Sequence, residues 1–141
     1  MISNPIPQGK YLAATRADNI LFTAGMTPRL DGKLIQSGKV EISEPVETYK
    51  EAVEQATSNA LKAAENILSE DEKLAKVLFL TVYVNAEEGY STHANIGDIA
   101  SSFLYEKLGE AGIGSRAAIG VASLPGNAPV EIQLIAQIEG K

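Results

Sequence analysis

Hydrophobic positions recur with helical spacing over Glu44 to Leu68. Tyr49, Val53, Ala56, Ala60, Ala63 and Ile67 share one face, and Lys50, Glu54, Ser58, Lys62 and Glu65 the other. Pro45 suits the first turn, where a missing N–H costs nothing. A second helix is predicted over Ser91 to Leu108, capped by Ser91 and ended by Gly109, with Ile96, Ile99, Phe103 and Leu104 as its buried stripe. Between the two, Leu74 to Val84 (LAKVLFLTVYV) is apolar on both faces, as a central strand must be.

Toward the N-terminus, Tyr11 to Arg16 and Ile20 to Ala24 read as a hairpin around Ala17-Asp18-Asn19. Gly25-Met26-Thr27-Pro28 ends its second strand, Asp31-Gly32 marks a turn, and Leu34 to Ile42 reads as loop with at most a short strand. Near the other end, Arg116 to Ala122 alternates. Ala117, Ile119 and Val121 read as the core face, and Arg116, Ala118, Gly120 and Ala122 as the other. An arginine followed by small residues suggests a wall with room for something to sit against it. After the turn at Leu124-Pro125-Gly126-Asn127, a last strand puts Val130, Ile132, Leu134, Ala136 and Ile138 on one face and Glu131, Gln133 and Gln137 on the other. Arg116 and Glu131 are thus expected on the less apolar faces of neighbouring segments. The order β-β-(β)-α-β-α-β-β predicts an α+β fold, with a mixed sheet and both long helices on one face. The 141 residues suit one domain, 1–141.

Composition narrows the chemistry. With 45% hydrophobic and 21% charged residues the chain reads as soluble and globular. It contains no cysteine, which excludes disulfides, thiolate nucleophiles and cysteine metal sites. No stretch has the length of a membrane span and the N-terminus lacks a signal-peptide pattern, so the expected compartment is the cytoplasm. A net charge of −6 with scattered basic residues disfavours nucleic acid as a partner. The single histidine, His93, reads as a surface or capping residue, because metal sites and histidine acid–base pairs need a second group. No metal site is predicted. Gly112-Ile113-Gly114 precedes a strand, not a helix, and reads as loop instead of a phosphate cradle. Tyr11 and Asn95 each have an ordinary reading, as half-buried packing and as a solvated helix residue.

Together these residues carry a resemblance. SRAAIGVASLPGNAPVEIQLIA, beginning at Ser115, resembles the C-terminal signature of the RidA/YjgF family, in which an arginine is followed by a strand, LP, a short turn and VEIEAIA. GKYLAATRADNILFTAGMTP resembles its GPY…NLLFxSGQxP pattern. The long helix and the strand ending VYV match the middle, so the likeness spans nearly the whole chain. The longer loop at Arg29 to Val46 and the extra residues near Ile113 mark a divergent branch. The resemblance implies a chorismate-mutase-like fold, assembled as a homotrimer with three clefts between subunits. It implies hydrolysis of reactive enamines or imines such as 2-aminoacrylate to a 2-oxo acid and ammonia, without metal or organic cofactor. Arg116 falls on the family's substrate-binding arginine, Tyr11 on a cleft tyrosine, Glu131 on the glutamate holding the attacking water, and Asn95 on an asparagine near the site.

Two departures bear on activity. Ala24-Gly25-Met26 replaces Ser-Gly-Gln, and Ala117-Ala118 replaces Ser-Cys or Ser-Thr after the arginine. A cleft lined by Ala24, Met26 and Ala118 is less polar and should prefer a more apolar substrate. The first expectation is therefore an enamine/imine deaminase, and the second a non-catalytic protein binding a small carboxylate or keto acid. RNA cleavage or translation inhibition ranks third, set back by the acidic charge and the lone histidine.

Overall fold

The computed structural model describes residues 5–141. Its elements are β1 (Ala14–Ala17), β2 (Ile20–Thr23), β3 (Arg29–Leu30), β4 (Lys33–Leu34), α1 (Lys50–Asn66), β5 (Glu72–Asn85), α2 (His93–Leu108), β6 (Ser115–Val121) and β7 (Val130–Gly140). Five strands form one sheet in the order β1-β2-β7-β5-β6, and β3 pairs with β4 alone. β5 and β6 run parallel, and the other neighbours are antiparallel. Side chains of both helices share one core with Leu80, Val82, Ile132 and Leu134 of the sheet. This is the predicted α+β layer arrangement with a mixed sheet.

The strongest periodicities gave their elements. α1 buries Val53, Ala56, Ala60 and Ala63 as expected, together with Ala52, Leu61 and Ala64. Its many alanines let the helix lie close to the sheet. Helix formation starts later than Glu44: Pro45 is extended, and Val46–Tyr49 makes a 3-10 turn before Lys50. The buried Tyr49 ring keeps its hydroxyl satisfied by accepting the Glu41 N–H at 2.8 Å. The DG turn at Asp31-Gly32 joins β3 to β4.

α2 departs from its expected cap and stripe. It begins at His93 after Thr92, with no side-chain capping bond, so Ser91 stands outside it. Gly109, at φ 65°, ends it as predicted. The buried residues are Ile96, Gly97, Ala100 and Leu104, whereas Ile99 and Phe103 are only partly covered. Gly97 and Ala100 are small enough to face the sheet closely, and this turns the stripe away from the larger pair.

β5 is central, as its sequence required. Two register shifts, between Leu74 and Lys76 and between Val77 and Phe79, bend it. β7 buries Val130, Ile132, Leu134, Ala136 and Ile138 as predicted. Leu134→Ala would leave a cavity between sheet and helices, and is expected to cost about 2–5 kcal/mol in a urea unfolding titration.

Two expectations about the C-terminal strands are corrected. β6 and β7 are not neighbours, because β5 lies between them. The faces of β6 are also reversed: Arg116 and Ala118 lie toward α2, while Ile119, 44% exposed, lies on the opposite side. β6 is an edge strand, so the helix layer needs only small residues beneath α2. That opposite face is uncovered and largely apolar. Phe22, Ile135 and Phe79 stand in one row across it, and Glu131, Tyr83 and Ile119 in another.

At the sheet's far corner, Arg16 forks onto Glu72, with Nη1–Oε1 at 2.7 Å and Nη2–Oε2 at 2.9 Å. The guanidinium, helped by the Ser69 N–H, holds the Glu72 carboxyl down at about 2. Arg16→Leu should return it toward the ordinary carboxylate range, read by NMR titration of the Glu72 carboxyl carbon. An unmoved midpoint would deny the pair its role.

Candidate active site

The predicted site residues fall into two groups. The first is built on β6 and α2. Arg116 stands opposite Leu80 of β5 and reaches over α2. Its Nη1 donates to Asp98 Oδ1 at 3.0 Å and to Ser101 Oγ at 3.1 Å. The guanidinium lies against Gly97, where an added Cβ would come within 2.9 Å of Cζ. Ala118 meets the same glycine, and Gly120 meets the ring of His93. The room beside Arg116 is therefore taken by α2: the small residues are there for helix packing. The Arg116 side chain stays 25% exposed, and its Nε and Nη2 make no hydrogen bond among the described residues. Asn95 is exposed one turn before Asp98, on the same side of the helix.

The second group surrounds the end of β2. Tyr11 lies outside the hairpin, exposed, with its hydroxyl accepting the Gln8 N–H at 3.0 Å. Ala24 is partly buried and donates its N–H to Ala13 O at 2.8 Å. Met26 is buried and exchanges backbone bonds with Ile132, at 2.7 and 2.8 Å. Between them, Gly25 has no side chain because the Glu131 carboxylate lies where a Cβ would go. Glu131 is half-buried, and that burial pushes its carboxyl above the ordinary value. Tyr11, Gly25 and Met26 also wall a cavity of about 290 Å³.

The two groups do not converge within one chain. Arg116 is level with Leu80 and Glu131 with Tyr83, three positions apart on β5, so their side chains leave opposite faces of the sheet. A small ligand held by Arg116 cannot also touch Glu131 of the same chain.

Sequence reasoning passed over the residues that hold Arg116. Asp98 and Ser101 follow Asn95, which had been singled out, at helical spacing beside the apolar stripe, and that polar row was the available signal. It also passed over Asn59, whose buried amide donates to Thr27 O at 3.1 Å and Arg29 O at 2.8 Å and so fixes the loop after Gly25. His93 begins α2 with its ring edge-on to Tyr90. Among the described residues, no group of three histidine, cysteine, aspartate or glutamate side chains is placed to hold a metal ion.

The sheet order, with its parallel β5–β6 pair and two helices on one face, defines an α+β fold of the YjgF type. The model of the endoribonuclease L-PSP family matches residues 1–138, and the chain belongs to that family, which is also the YjgF/RidA family. Atu1372 of Agrobacterium tumefaciens, a protein of unknown function, is 32% identical with a TM-score of 0.83, covering 95% of this chain and 86% of its own. A candidate endoribonuclease of Shewanella oneidensis is 27% identical with a TM-score of 0.85, covering 96% and 90%. Escherichia coli TdcF, solved with bound serine, shares the fold at 20% identity and a TM-score of 0.67, covering 95% and 92%.

Proposed function

We propose that the protein hydrolyses small enamines or imines bearing a carboxylate, of the 2-aminoacrylate type, to 2-oxo acids and ammonia, in a cleft between copies of the chain in a homotrimer. The observation that carries this is the Arg116 guanidinium, held through Nη1 while its Nε and Nη2 make no hydrogen bond among the described residues. Two such donors fit a carboxylate with two parallel hydrogen bonds. Asp98 and Ser101 hold the fork still, which lowers the entropy lost when substrate docks.

The opposed positions of Arg116 and Glu131 call for a second copy. With Arg116 from one protomer and Glu131, Gly25 and Tyr11 from its partner, one ligand can meet both groups. The uncovered face with Phe22, 41% exposed, and Ile119 offers apolar surface for such assembly. Sedimentation is expected to give three times the mass of 14.9 kDa; a stable monomer would remove the shared cleft.

The chemistry needs few parts. The enamine tautomerises to an imine, whose carbon is electrophilic, more so when the nitrogen is protonated. Glu131 takes a proton from water as the oxygen bonds to that carbon. Glu131 then passes that proton to the nitrogen, the C–N bond breaks and ammonia leaves as the hydroxyl gives its own proton back to Glu131, and the carbonyl of the 2-oxo acid remains. Nothing is oxidised or reduced. Burial raises the Glu131 carboxyl and so makes its carboxylate a stronger base than an ordinary one. In this reading Tyr11 shapes the wall, Asn95 contacts the substrate from the start of α2, and Ala24, Met26 and Ala118 give the cleft an apolar bias. The proposed place of action is the cytoplasm; no helix among the described residues is long and apolar enough to cross a membrane.

A second reading is a carboxylate-binding protein without catalysis. It is favoured by Ala24 and Met26 standing where the family pattern has a hydroxyl and an amide. Release of 2-oxo acid from freshly generated imines separates the two. Acceleration over buffer supports the deaminase, whereas binding without acceleration supports the carrier. Some relatives carry endoribonuclease names. Here RNA cleavage has less support, since His93 packs on Tyr90 with no second histidine in the chain.

A further inference from the structure

No helix covers the sheet face that carries Glu131, and the carboxylate has polar company there. Gln133 follows two residues on along β7 and leaves the same side; both are half-buried. A strand rise of about 3.4 Å per residue sets the two about 7 Å apart. Tyr83 of β5 stands level with Glu131, and its hydroxyl reaches diagonally to donate to Gln133 Oε1 at 3.0 Å. With that oxygen taken, the amide turns its Nε2 donors the other way, where they have no partner among the described residues.

Glu131 accepts no hydrogen bond among the described residues, and its neighbours are uncharged: Tyr83 from β5, Ile119 beyond it on β6, and Gly25 against the carboxylate itself. Tyr11, which shares a cavity wall with Gly25, adds a phenol and no charge. An open acceptor and an open donor thus share one face, within the span that a single water bridges with two hydrogen bonds of about 2.8 Å. The residue type supports this. Residues 130–136 read VEIQLIA, and the VEIEAIA pattern has a second glutamate where Gln133 stands. Two carboxylates so placed would repel, and an ionised one has no proton to donate. Glutamine removes the repulsion and supplies N–H groups.

We propose that Gln133 is a further catalytic residue of the imine-hydrolysing cleft: its Nε2 donates to the oxygen of the attacking water while Glu131 accepts one of that water's protons. Tyr83 is a positioning residue that holds the amide by its oxygen. This inference rests on the deaminase reading. With one proton and one lone pair of the water engaged, the other lone pair is aimed away from the sheet, toward the bound imine carbon. Glu131 alone would leave the water free to turn about a single hydrogen bond.

The test follows release of 2-oxo acid from freshly generated imines by the full chain, in wild type, Gln133→Met, Gln133→Glu and Tyr83→Phe. Gln133→Met keeps the length of the side chain and loses the donor. It should lower kcat about tenfold and leave KM within about twofold, because the water and not the substrate loses a partner. Tyr83→Phe should lower kcat about threefold at unchanged KM, since the amide stays but is free to turn. Gln133→Glu should move the midpoint of the rate–pH profile upward by about one pH unit, through repulsion between the two carboxylates. A residue that only packs would leave that midpoint in place. A Gln133→Met enzyme as fast as wild type, or a Gln133→Glu midpoint at the wild-type pH, overturns the inference and leaves the deaminase reading standing. Wild type no faster than buffer overturns both. If Gln133→Met does not fold, the Gln133→Glu midpoint decides, because that side chain has the size of the one it replaces.

Discussion

Arg116→Ala is expected to lower kcat/KM for imine hydrolysis by roughly a hundredfold or more, with the fold intact. Two charge-assisted hydrogen bonds to the substrate carboxylate are lost, each worth about 1.5–3 kcal/mol. The structural cost should be small, because the partner Asp98 has a side chain 68% exposed and stays hydrated when the pair is broken. Arg116→Lys restores the charge but not the planar fork, and should recover only part of the loss. Asp98→Asn separates positioning from binding: the substrate edge of Arg116 is kept while its anchor weakens. A rise in KM larger than the fall in kcat is expected there. An Arg116→Ala enzyme as fast as wild type would remove the deaminase mechanism outright.

Glu131→Gln should separate activity from stability. Loss of the base is expected to slow kcat by about 10²–10³-fold, within the usual range for general base catalysis. The fold should respond the other way. Burial raises the folded-state pKa of Glu131 above its unfolded value. Between those two values the native state binds more protons than the unfolded state, so wild-type stability falls as pH rises through that window. Above it the penalty persists in full. The neutral amide of the variant carries no such penalty, so its thermal midpoint should exceed wild type at neutral pH and converge with it in acid. The wild-type rate should climb with pH across the same window, as the base ionises. A rate profile flat from pH 4 to 8 would contradict the role given to Glu131.

Much of this architecture was legible because strong periodicities are hard to satisfy in two ways. The alternation of β7 and the alanine-rich face of α1 each admitted one buried side. β6 was misread because its more apolar face is the one that α2 leaves uncovered. Ala117, Ile119 and Val121 look like core, but whether they are covered depends on where α2 lies, and no residue of β6 states that. The same blindness hid the partners of Arg116. Asp98 and Ser101 lie 18 and 15 residues earlier, and only the parallel crossover from α2 to β6 brings them together. The site residues were named by resemblance, and their separation onto opposite sheet faces needed the register through β5. Asn59 escaped notice because an amide on a buried helical face looks like an exception until its two carbonyl partners are in view.

The place of β7 also bears on synthesis. It follows β1 to β6 in the chain, yet it sits between β2 and β5. A nascent chain can assemble α1, β5, α2 and β6 as they emerge. The hairpin of β1 and β2, translated before them, has no edge of this sheet to join until residues 130–140 leave the ribosome. Until then β5 presents an unpaired edge and the hairpin an uncovered Leu21, two surfaces open to the wrong partners. Polysomes crowded with copies of this message would bring such intermediates side by side, so chaperone demand should be highest before β7 emerges and fall once it has paired with β2 and β5.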